Sequence, residues 1–271
     1  MKTSIENQPR SVSQTEQYLD KCAWQYKLKR IDRVAARPAA WSHQGTAFHS
    51  AAEALERSDR TMTEEEAVQL FSDQYSALVN KSMSQEPNLD WWMTANQKPA
   101  GQDIEDRYTL GQQQVRDYVK WSKENQPSFV VVKNDKGEEK MGLELYFKVE
   151  LGGVAVRGYI DQLPLEPDGS TRVRDLKTGS TKSKFQLETY KVATEKQWGL
   201  KVNKGDWYLG KTGKLSPVKG VDLSKVTEEE VAAKYVEMDQ GVKAGNYLAN
   251  PSSWNCNFCD VSHACSFSRA R

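Results

Sequence analysis

Gly158-Tyr159-Ile160-Asp161 and Arg174-Asp175-Leu176-Lys177 are the two stretches that decide the fold of this 271-residue chain. Each lies at the end of a segment with the composition of a strand, and a turn separates the two segments. Consecutive strands joined by a short turn pair antiparallel, so we expect Asp161 and Asp175 to lie close together at adjacent strand ends. Side chains alternate along a strand, and Lys177 therefore falls on the same face as Asp175.

The residue types in these stretches favour a divalent cation beside a phosphodiester. Mg²⁺ prefers oxygen ligands and keeps several waters, and Asp161, Asp175 and the carbonyl of Leu176 could supply three oxygens. An ammonium at Lys177 could orient or help deprotonate the attacking water and offset charge on the phosphate. The alternative is an ordinary charged outer face of a strand, because Asp-x-Lys is common by chance.

The rest of the sequence predicts an α/β chain with helices before and after the strands. Helical spacing of apolar residues, with a capping box at Thr63–Glu66, predicts the helices. Alternating apolar residues and the Gly152-Gly153 hairpin signal predict the strands. The predicted helices cover 45–57, 63–79, 105–123, 185–198 and 227–242, and the predicted strands cover 129–132, 143–151, 154–160, 171–176 and 207–209.

Composition excludes a strongly basic nucleic-acid-binding domain, because the net charge is only +1. The stretch 174–219 differs, with eleven Lys or Arg against four Asp or Glu. Such a run is most often a solvated face, but beside a phosphodiesterase site it favours a surface that follows a phosphate backbone. No apolar run could span a bilayer, and residues 1–10 lack a signal core, so we expect a soluble, cytoplasmic protein.

The four cysteines form a pattern of their own. Cys256-x-x-Cys259-x5-Cys265 is compact, and Cys22 is the remaining cysteine. Closely spaced cysteines in a reducing compartment suit chelation of a single metal or a cluster. Zinc with His263 as a ligand is one alternative, although one residue between His263 and Cys265 is tight for a tetrahedral site. Unliganded core cysteines are the other.

An ordered series of short motifs resembles the PD-(D/E)XK nucleases. The series is Gly45-x-x-x-His49, Gly158-x-x-Asp161, Asp175-x-Lys177-Thr178-Gly179 and Gln186-x-x-x-Tyr190. It covers nearly the whole chain in the family's order, and it is most similar to the RecB-type exonuclease branch. The resemblance implies a restriction-endonuclease-like α/β core over residues 1–271, with a mixed central sheet flanked by helices and a helical lobe inserted over 60–127.

The resemblance also implies a metal site. Asp161, Asp175 and the carbonyl of Leu176 would bind catalytic Mg²⁺ or Mn²⁺, and His49 would be a further ligand from the preceding helix. Apart from the series, a histidine buried in a helix face would be the simpler interpretation of His49, since most histidines are not ligands.

Four more residues take roles from the same resemblance. Lys177 would be the catalytic lysine, and Gln186 and Tyr190 would position the nucleic acid or the active-site groups. Glu144, on the strand before the hairpin, could support the metal site.

For the cysteines, the resemblance implies a structural [4Fe–4S] cluster. One subgroup, which includes the AddB nuclease domain and CRISPR-associated RecB-like nucleases, takes one cysteine from near the N-terminus and three from a C-terminal tail. Cys22, Cys256, Cys259 and Cys265 match that arrangement, with a cluster-binding tail over 250–271. Ala23 stands where the family usually has proline, which does not affect ligation.

These features together predict a divalent-metal-dependent DNA exonuclease acting on single-stranded ends or flaps. A non-catalytic nucleic-acid-binding module on the same fold is the alternative, and a sequence-preferring endonuclease is a third. The sequence shows no P-loop, so DNA unwinding would need a helicase or recombination partner. We expect a bacterial or phage-encoded protein with a role in repair or recombination, and the sequence leaves its oligomeric state open.

Overall fold

The computed structural model describes residues 8–95, 98–134, 136–179 and 182–270. The chain divides into two compact units that alternate along the sequence. The first unit comprises Met1–Arg37, Tyr146–Gly158 and Val226–Arg271, and the second comprises Pro38–Leu145 and Tyr159–Lys225. Among the described residues, no helix combines the length and apolar composition needed to cross a bilayer.

Helices account for much of both units. They are α1 (Val12–Glu16), α2 (Ala23–Tyr26), α3 (Ala40–Arg57), α4 (Glu64–Gln85), α5 (Ala100–Asn125), α6 (Lys184–Trp198), α7 (Glu228–Lys243) and α8 (Ser253–Asn257). Single π-helical turns, Gln17–Lys21 and Lys27–Ile31, follow α1 and α2. The capping box predicted at Thr63 is present, because Thr63 Oγ1 accepts from the Glu66 N–H while the Glu66 carboxylate accepts from the Thr63 N–H.

Within the described residues, the strands form one two-stranded and one five-stranded sheet. They are β1 (Val131–Lys133), β2 (Glu139–Met141), β3 (Leu143–Leu151), β4 (Val154–Gln162), β5 (Thr171–Lys177), β6 (Val202–Leu209) and β7 (Lys214–Asp222). The larger sheet has the order β3-β4-β5-β6-β7. It is mixed, because β5 runs antiparallel to β4 and parallel to β6. The predicted α/β class with a mixed central sheet is confirmed.

The second unit has a core that joins its helices to its strands. Phe48 on α3, Phe71 on α4 and Tyr118 on α5 are fully buried, and they share one apolar cluster with Leu176 and Tyr208 of the sheet. Helices between 60 and 127 therefore pack in the same unit as β5 and β6. The division of the chain into an inserted lobe over 60–127 and a tail over 250–271 stays a prediction.

The first unit has a smaller core of its own. Tyr18 and Tyr26 pack with Met238 and Val242 of α7. A second small cluster joins Leu28 and Val261 to Cys259. The N-terminal turns and the C-terminal segment therefore fold together within this unit.

Several elements differ from the sequence prediction. Helix α5 begins at Ala100 and β6 at Val202, both earlier than predicted, and β2 was not predicted. Helix α3 begins at Ala40, so Gly45 lies inside it rather than at its start. A Cβ added at Gly45 would have Thr178 Oγ1 at 3.9 Å, an ordinary contact distance, so the packing around this position does not require glycine. Strand β7 was not predicted at all. Its sequence contains Pro217 and Gly220, which are both unfavourable in strands and are tolerated at a sheet edge.

The charged residues of β5 are buried, which contradicts the alternative of a charged outer face. Arg172 donates to Asp206 Oδ2 at 2.8 Å, and Arg174 Nε donates to Asp206 Oδ1 at 2.7 Å. Asp206 is fully buried. Removing one member of such a buried ion-pair network is strongly destabilising, because it leaves a buried charge without compensation.

Replacing Asp206 by asparagine is therefore expected to lower the free energy of unfolding by about 3–5 kcal/mol, because buried Arg174 loses its carboxylate partner and Arg172 is left with Glu166 alone. Urea unfolding followed by circular dichroism measures this loss. Asp73→Asn, at an exposed position on α4, is the matched control and should cost less than about 0.5 kcal/mol. Equal stabilities of the two variants would show that Asp206 does not hold β5 and β6 together.

Candidate active site

The two aspartates lie on neighbouring antiparallel strands. Gln162 of β4 pairs with Arg174 of β5, which places the adjacent residues Asp161 and Asp175 side by side. Both are buried, at 7% and 1% exposure. Asp161 Oδ2 accepts a hydrogen bond from the backbone N–H of Leu176 at 2.7 Å, which fixes the carboxylate against the next strand.

The lysine is held between a carboxylate and an amide. Lys177 Nζ donates to Asp175 Oδ1 and to Gln186 Oε1, each at 2.9 Å. Gln186 Nε2 in turn donates to the Tyr190 hydroxyl at 2.7 Å. Helix α6 presents Gln186 and Tyr190 one turn apart, and the N-cap Ser183 accepts the Gln186 N–H. The four residues from Asp175 to Tyr190 thus form one connected chain of hydrogen bonds.

The histidine comes from α3 and makes two polar contacts. His49 Nδ1 lies 2.9 Å from Glu144 Oε1, and Nε2 lies 3.0 Å from the carbonyl oxygen of Leu176. Both partners only accept hydrogen bonds, so both ring nitrogens must carry protons in this arrangement. His49 Nδ1 also lies 3.8 Å from Asp161 Oδ2.

The acidic surroundings favour the charged imidazolium. Burial alone would lower the pKa of His49, but the negative charges of Asp161, Glu144 and Asp175 outweigh it and raise the pKa from 6.5 to about 9. The imidazolium, together with the Lys177 ammonium bonded to Asp175, offsets the negative charge of this carboxylate cluster.

The aspartates are driven toward their neutral forms. Burial, together with the charge of Asp161, raises the pKa of Asp175 to about 7. Burial is also the largest cause that raises the pKa of Asp161, opposed by His49. Two buried carboxylates this close disfavour simultaneous ionisation, and a divalent cation would relieve that repulsion.

The donor set fits a hard divalent cation. One ligand atom from each of His49, Glu144 and Asp161 lies within 4.8 Å of the others, the only such group among the described residues. Asp175 Oδ2 is buried and makes no hydrogen bond, an unsatisfied acceptor that a cation would satisfy. Carboxylate oxygens, a carbonyl and one imidazole suit Mg²⁺ or Mn²⁺.

Metal binding is expected to strengthen as the pH rises from about 7, where Asp175 is losing its own proton, to 9, because the cation must displace the His49 proton. With a pKa near 9 in the metal-free state, one released proton gives about a tenfold gain in affinity per pH unit, levelling off above pH 9. Calorimetric titration with Mn²⁺ in two buffers of different ionisation enthalpy measures this release. His49→Gln is the control, and an affinity independent of pH with no proton released would contradict the assignment.

The structure brings the predicted site residues of the motif series together within the second unit. They are His49, Asp161, Asp175, Leu176, Lys177, Gln186 and Tyr190. Their roles in catalysis stay predictions. Glu144, given only a supporting place by the sequence, belongs to the closest group of ligand atoms, whereas Asp175 faces Lys177. The backbone of Glu144 has φ +44°, a conformation rare for a side-chain-bearing residue. No local sequence signal indicates this turn of the strand.

The cysteines converge elsewhere, within the first unit. Cys22, Cys256, Cys259 and Cys265 all line one cavity. Cys256 and Cys259 are buried, and the others are half-buried. The backbone N–H of Asn250 donates to Cys22 Sγ at 3.4 Å. Burial raises the pKa of the Cys259 thiol to about 11, which disfavours a free thiolate there.

The spacing of the sulfurs is wider than a single zinc ion requires. No three of the four sulfur atoms lie within 4.8 Å of one another, whereas thiolates about 2.3 Å from one tetrahedral zinc lie closer together than that. His263 is exposed and does not line the cavity. The donor set at this cavity therefore consists of four thiols and is compatible with a group larger than one ion.

Comparison with known proteins gives a family match over nearly the whole chain. The family model described as PD-(D/E)XK nuclease superfamily matches residues 9–266. The match includes every residue of the carboxylate site and all four cysteines.

Two curated proteins are similar along their full lengths. The "Gene 69 protein" of Mycobacterium phage D29 is 40% identical over 97% of this chain and 98% of its own. The "Gene 69 protein" of Mycobacterium phage L5 is 35% identical over 94% of this chain and 95% of its own. A solved structure described as "Crystal structure of SSO0001" covers 60% of this chain and 77% of its own, at 14% identity and a TM-score of 0.33. That overlap is too loose to carry an argument.

Proposed function

This chain belongs to the PD-(D/E)XK nuclease superfamily, and from that membership and the geometry of the carboxylate site we propose that it is a divalent-metal-dependent DNA exonuclease. The observation that carries the proposal is the convergence of a histidine, three carboxylates and a lysine in one part of the second unit. Its closest donors are His49, Glu144 and Asp161. Asp175 contributes a buried oxygen without a partner.

In the proposed reaction, the histidine and the carboxylates bind the metal ion. His49, Glu144, Asp161 and Asp175 would hold the metal. Bound there, a divalent cation supplies positive charge that polarises a phosphodiester and acidifies a water.

Lys177 is fixed beside these carboxylates by its bonds to Asp175 and Gln186. From that position its ammonium can donate to a phosphate oxygen or orient the attacking water. Tyr190 restrains Gln186, so the lysine keeps this orientation before substrate arrives.

Contact with nucleic acid is supported by the charge of the surrounding surface. Some basic residues of the stretch 174–219 are buried or engaged, such as Arg174 and Lys191. The exposed ones are Lys182, Lys184, Lys196, Lys201, Lys204, Lys211, Lys214 and Lys219. Exposed lysines attract phosphates without regard to sequence. This pattern favours a nucleic-acid substrate that is bound without regard to sequence.

The exonuclease assignment and the preference for single-stranded ends rest on the similarity to the RecB-type branch. Linear single-stranded, linear double-stranded and circular single-stranded DNA, incubated with Mg²⁺, Mn²⁺ or chelator, test them. We expect linear strands to be degraded from an end only with metal, and circles to persist. Cleavage of circles would replace the exonuclease by an endonuclease. DNA binding without cleavage in either metal would favour the non-catalytic module.

For the cysteines, we propose a structural [4Fe–4S] cluster. Four thiols from both ends of the chain around one cavity support it, as does sulfur spacing wider than that of a single zinc site. The Asn250 N–H directed at Cys22 Sγ supplies the kind of bond that stabilises cluster thiolates. The cluster would fasten the tail over 250–271 to the N-terminal turns.

The proposed biological context rests on the two similar phage proteins. Similarity to two mycobacteriophage proteins supports a phage-encoded enzyme. Its action in recombination or repair, and a helicase partner that would supply single strands, belong to the same proposal.

A further inference from the structure

A second concentration of positive charge lies in the first unit, which contains none of the carboxylate-site residues. It is a cleft of about 250 Å³, several times the volume of a water at about 30 Å³. Its basic lining residues are Arg10, Lys29, Arg30, Arg33 and Arg157. Two glutamines and Tyr26 complete the lining, and among the described residues no Asp or Glu takes part in it.

The backbone builds this cleft from two separate segments. The N–H of Arg10 donates to the carbonyl of Ala155 at 2.8 Å, and the N–H of Arg157 donates to the carbonyl of Arg10 at 2.9 Å. These bonds fix Arg10 beside Arg157. Arg30 lies in the π-helical turn Lys27–Ile31, and Arg33 follows with a left-handed φ of +56°. The sharp turn brings both arginines to the same cleft.

Part of the positive charge is already neutralised. Arg10 is buried and donates to Asp239 at 2.7 and 3.0 Å, and Lys29 pairs with Asp260. Arg10 therefore serves as a fixed wall of the cleft.

The remaining charge is available to a ligand. Arg30, Arg33 and Arg157 are exposed. Within the described parts of the chain they have no carboxylate partner. Three guanidinium groups that converge without a counter-charge leave an anion site.

We propose that this cleft binds backbone phosphates of the nucleic-acid strand, as an anchoring site additional to the carboxylate site. The inference rests on the proposed nuclease function and deepens it. Arginine is suited to this role because its planar fork of N–H donors matches phosphate oxygens. The polar amides of Gln8 and Gln14 in the lining suit the same oxygens. Phosphate contacts carry no sequence information, which agrees with an enzyme that degrades any strand.

A matched pair of triple variants tests the proposal. Arg30→Gln, Arg33→Gln and Arg157→Gln together remove the three exposed cleft charges. Lys81→Gln, Lys120→Gln and Lys133→Gln together remove three exposed charges that neither line the cleft nor belong to the stretch 174–219. Binding of fluorescein-labelled oligodeoxythymidylate is measured by anisotropy with chelator present, from about 50 to 200 mM salt. Melting temperatures within about 3 °C of wild type establish that both variants fold.

We expect the cleft variant to bind at least about tenfold more weakly and the control less than about threefold. The slope of log affinity against log salt should fall by about 2 for the cleft variant, since each single-strand phosphate contact contributes about 0.7. Inorganic phosphate alone is also titrated into wild type and the cleft variant. Equal DNA affinities of the two variants would overturn the proposal, and binding of inorganic phosphate alone to wild type but not to the cleft variant would then make the cleft a small-anion site.

The outcomes separate this proposal from the nuclease assignment. Equal binding by wild type and the cleft variant overturns the cleft alone, whatever the cleavage activity. Wild-type protein that binds DNA through the cleft but never cleaves it overturns the nuclease and retains the cleft. Wild-type protein that neither binds nor cleaves DNA overturns both.

Discussion

Lys177→Ala and Asp175→Asn are each expected to lower the rate of DNA cleavage by at least about 10³-fold, while the protein stays folded. Losses of this size are typical when a positioned charge or proton donor is removed from an active site. Lys177 Nζ contacts both Asp175 and Gln186, so alanine removes the only ammonium bonded to this carboxylate in the described structure. The asparagine substitution keeps the shape of the Asp175 side chain and removes its charge. Initial rates on labelled single-stranded DNA with Mn²⁺ measure both effects.

Metal binding distinguishes the two variants. Asp175→Asn should weaken Mn²⁺ binding as well as cleavage, because it removes an anionic ligand. Lys177→Ala should leave Mn²⁺ binding intact or slightly stronger, since a competing cation is gone. Lys120→Ala is the matched control, because Lys120 is exposed on α5 and lies outside the stretch 174–219. Cleavage near the wild-type rate in both folded site variants would reject the mechanism.

The candidate site was largely predictable because its motifs lie on elements with clear local signals. Asp161 and Asp175 follow strand patterns separated by a turn, and antiparallel pairing then determines that they meet. Gln186 and Tyr190 are one helical turn apart on a segment with helical periodicity, so their shared direction follows from helix geometry. The relative positions of these residues could therefore be predicted from their spacing in the sequence.

The place of Glu144 in the site could not be predicted from sequence spacing. A regular β3 strand alternates its side chains, and Glu144 would be one polar residue of several on the outer face. Glu144 keeps that alternation, because Leu143 and Leu145 on either side of it are buried, and its left-handed backbone has no local sequence signal. Its partner His49 is 95 residues away in sequence, so the contact could not be predicted from local spacing.

The burial of the charged residues of β5 could not be predicted from the sequence for a related reason. Arg172 and Arg174 look like surface residues until Asp206 of the parallel neighbour β6 is placed opposite them. Parallel strands are joined through a helix, so neither partner is local to the other. Strand β7 was missed because Pro217 and Gly220 contradict strand propensity, and only its position at the sheet edge makes them acceptable.

Replacing any one of the four cysteines by serine is expected to remove nearly all iron and sulfide from anaerobically purified protein, because the cluster loses a ligand. Cys22→Ser is the most informative variant, since Cys22 alone joins the tail cysteines from the other end of the sequence. Metal analysis, sulfide analysis and visible absorbance measure the loss. Ser268→Ala alters another residue of the same cavity without removing a thiol and is the control. Stoichiometric zinc without iron in wild-type protein would reject the cluster.

Stability gives an independent test of whether any group is bound at Cys22. Cys22 is half-buried and accepts only a 3.4 Å bond from Asn250. Serine has a similar shape, so without a bound group the substitution should cost less than about 1 kcal/mol. With a cluster, the variant also loses a link between distant parts of the chain. The free energy of cluster binding that stabilised the fold is then lost as well. We therefore expect Cys22→Ser to melt more than about 5 °C below iron-loaded wild type and at about the same temperature as wild type stripped of iron. That pair of results requires a group bound at Cys22.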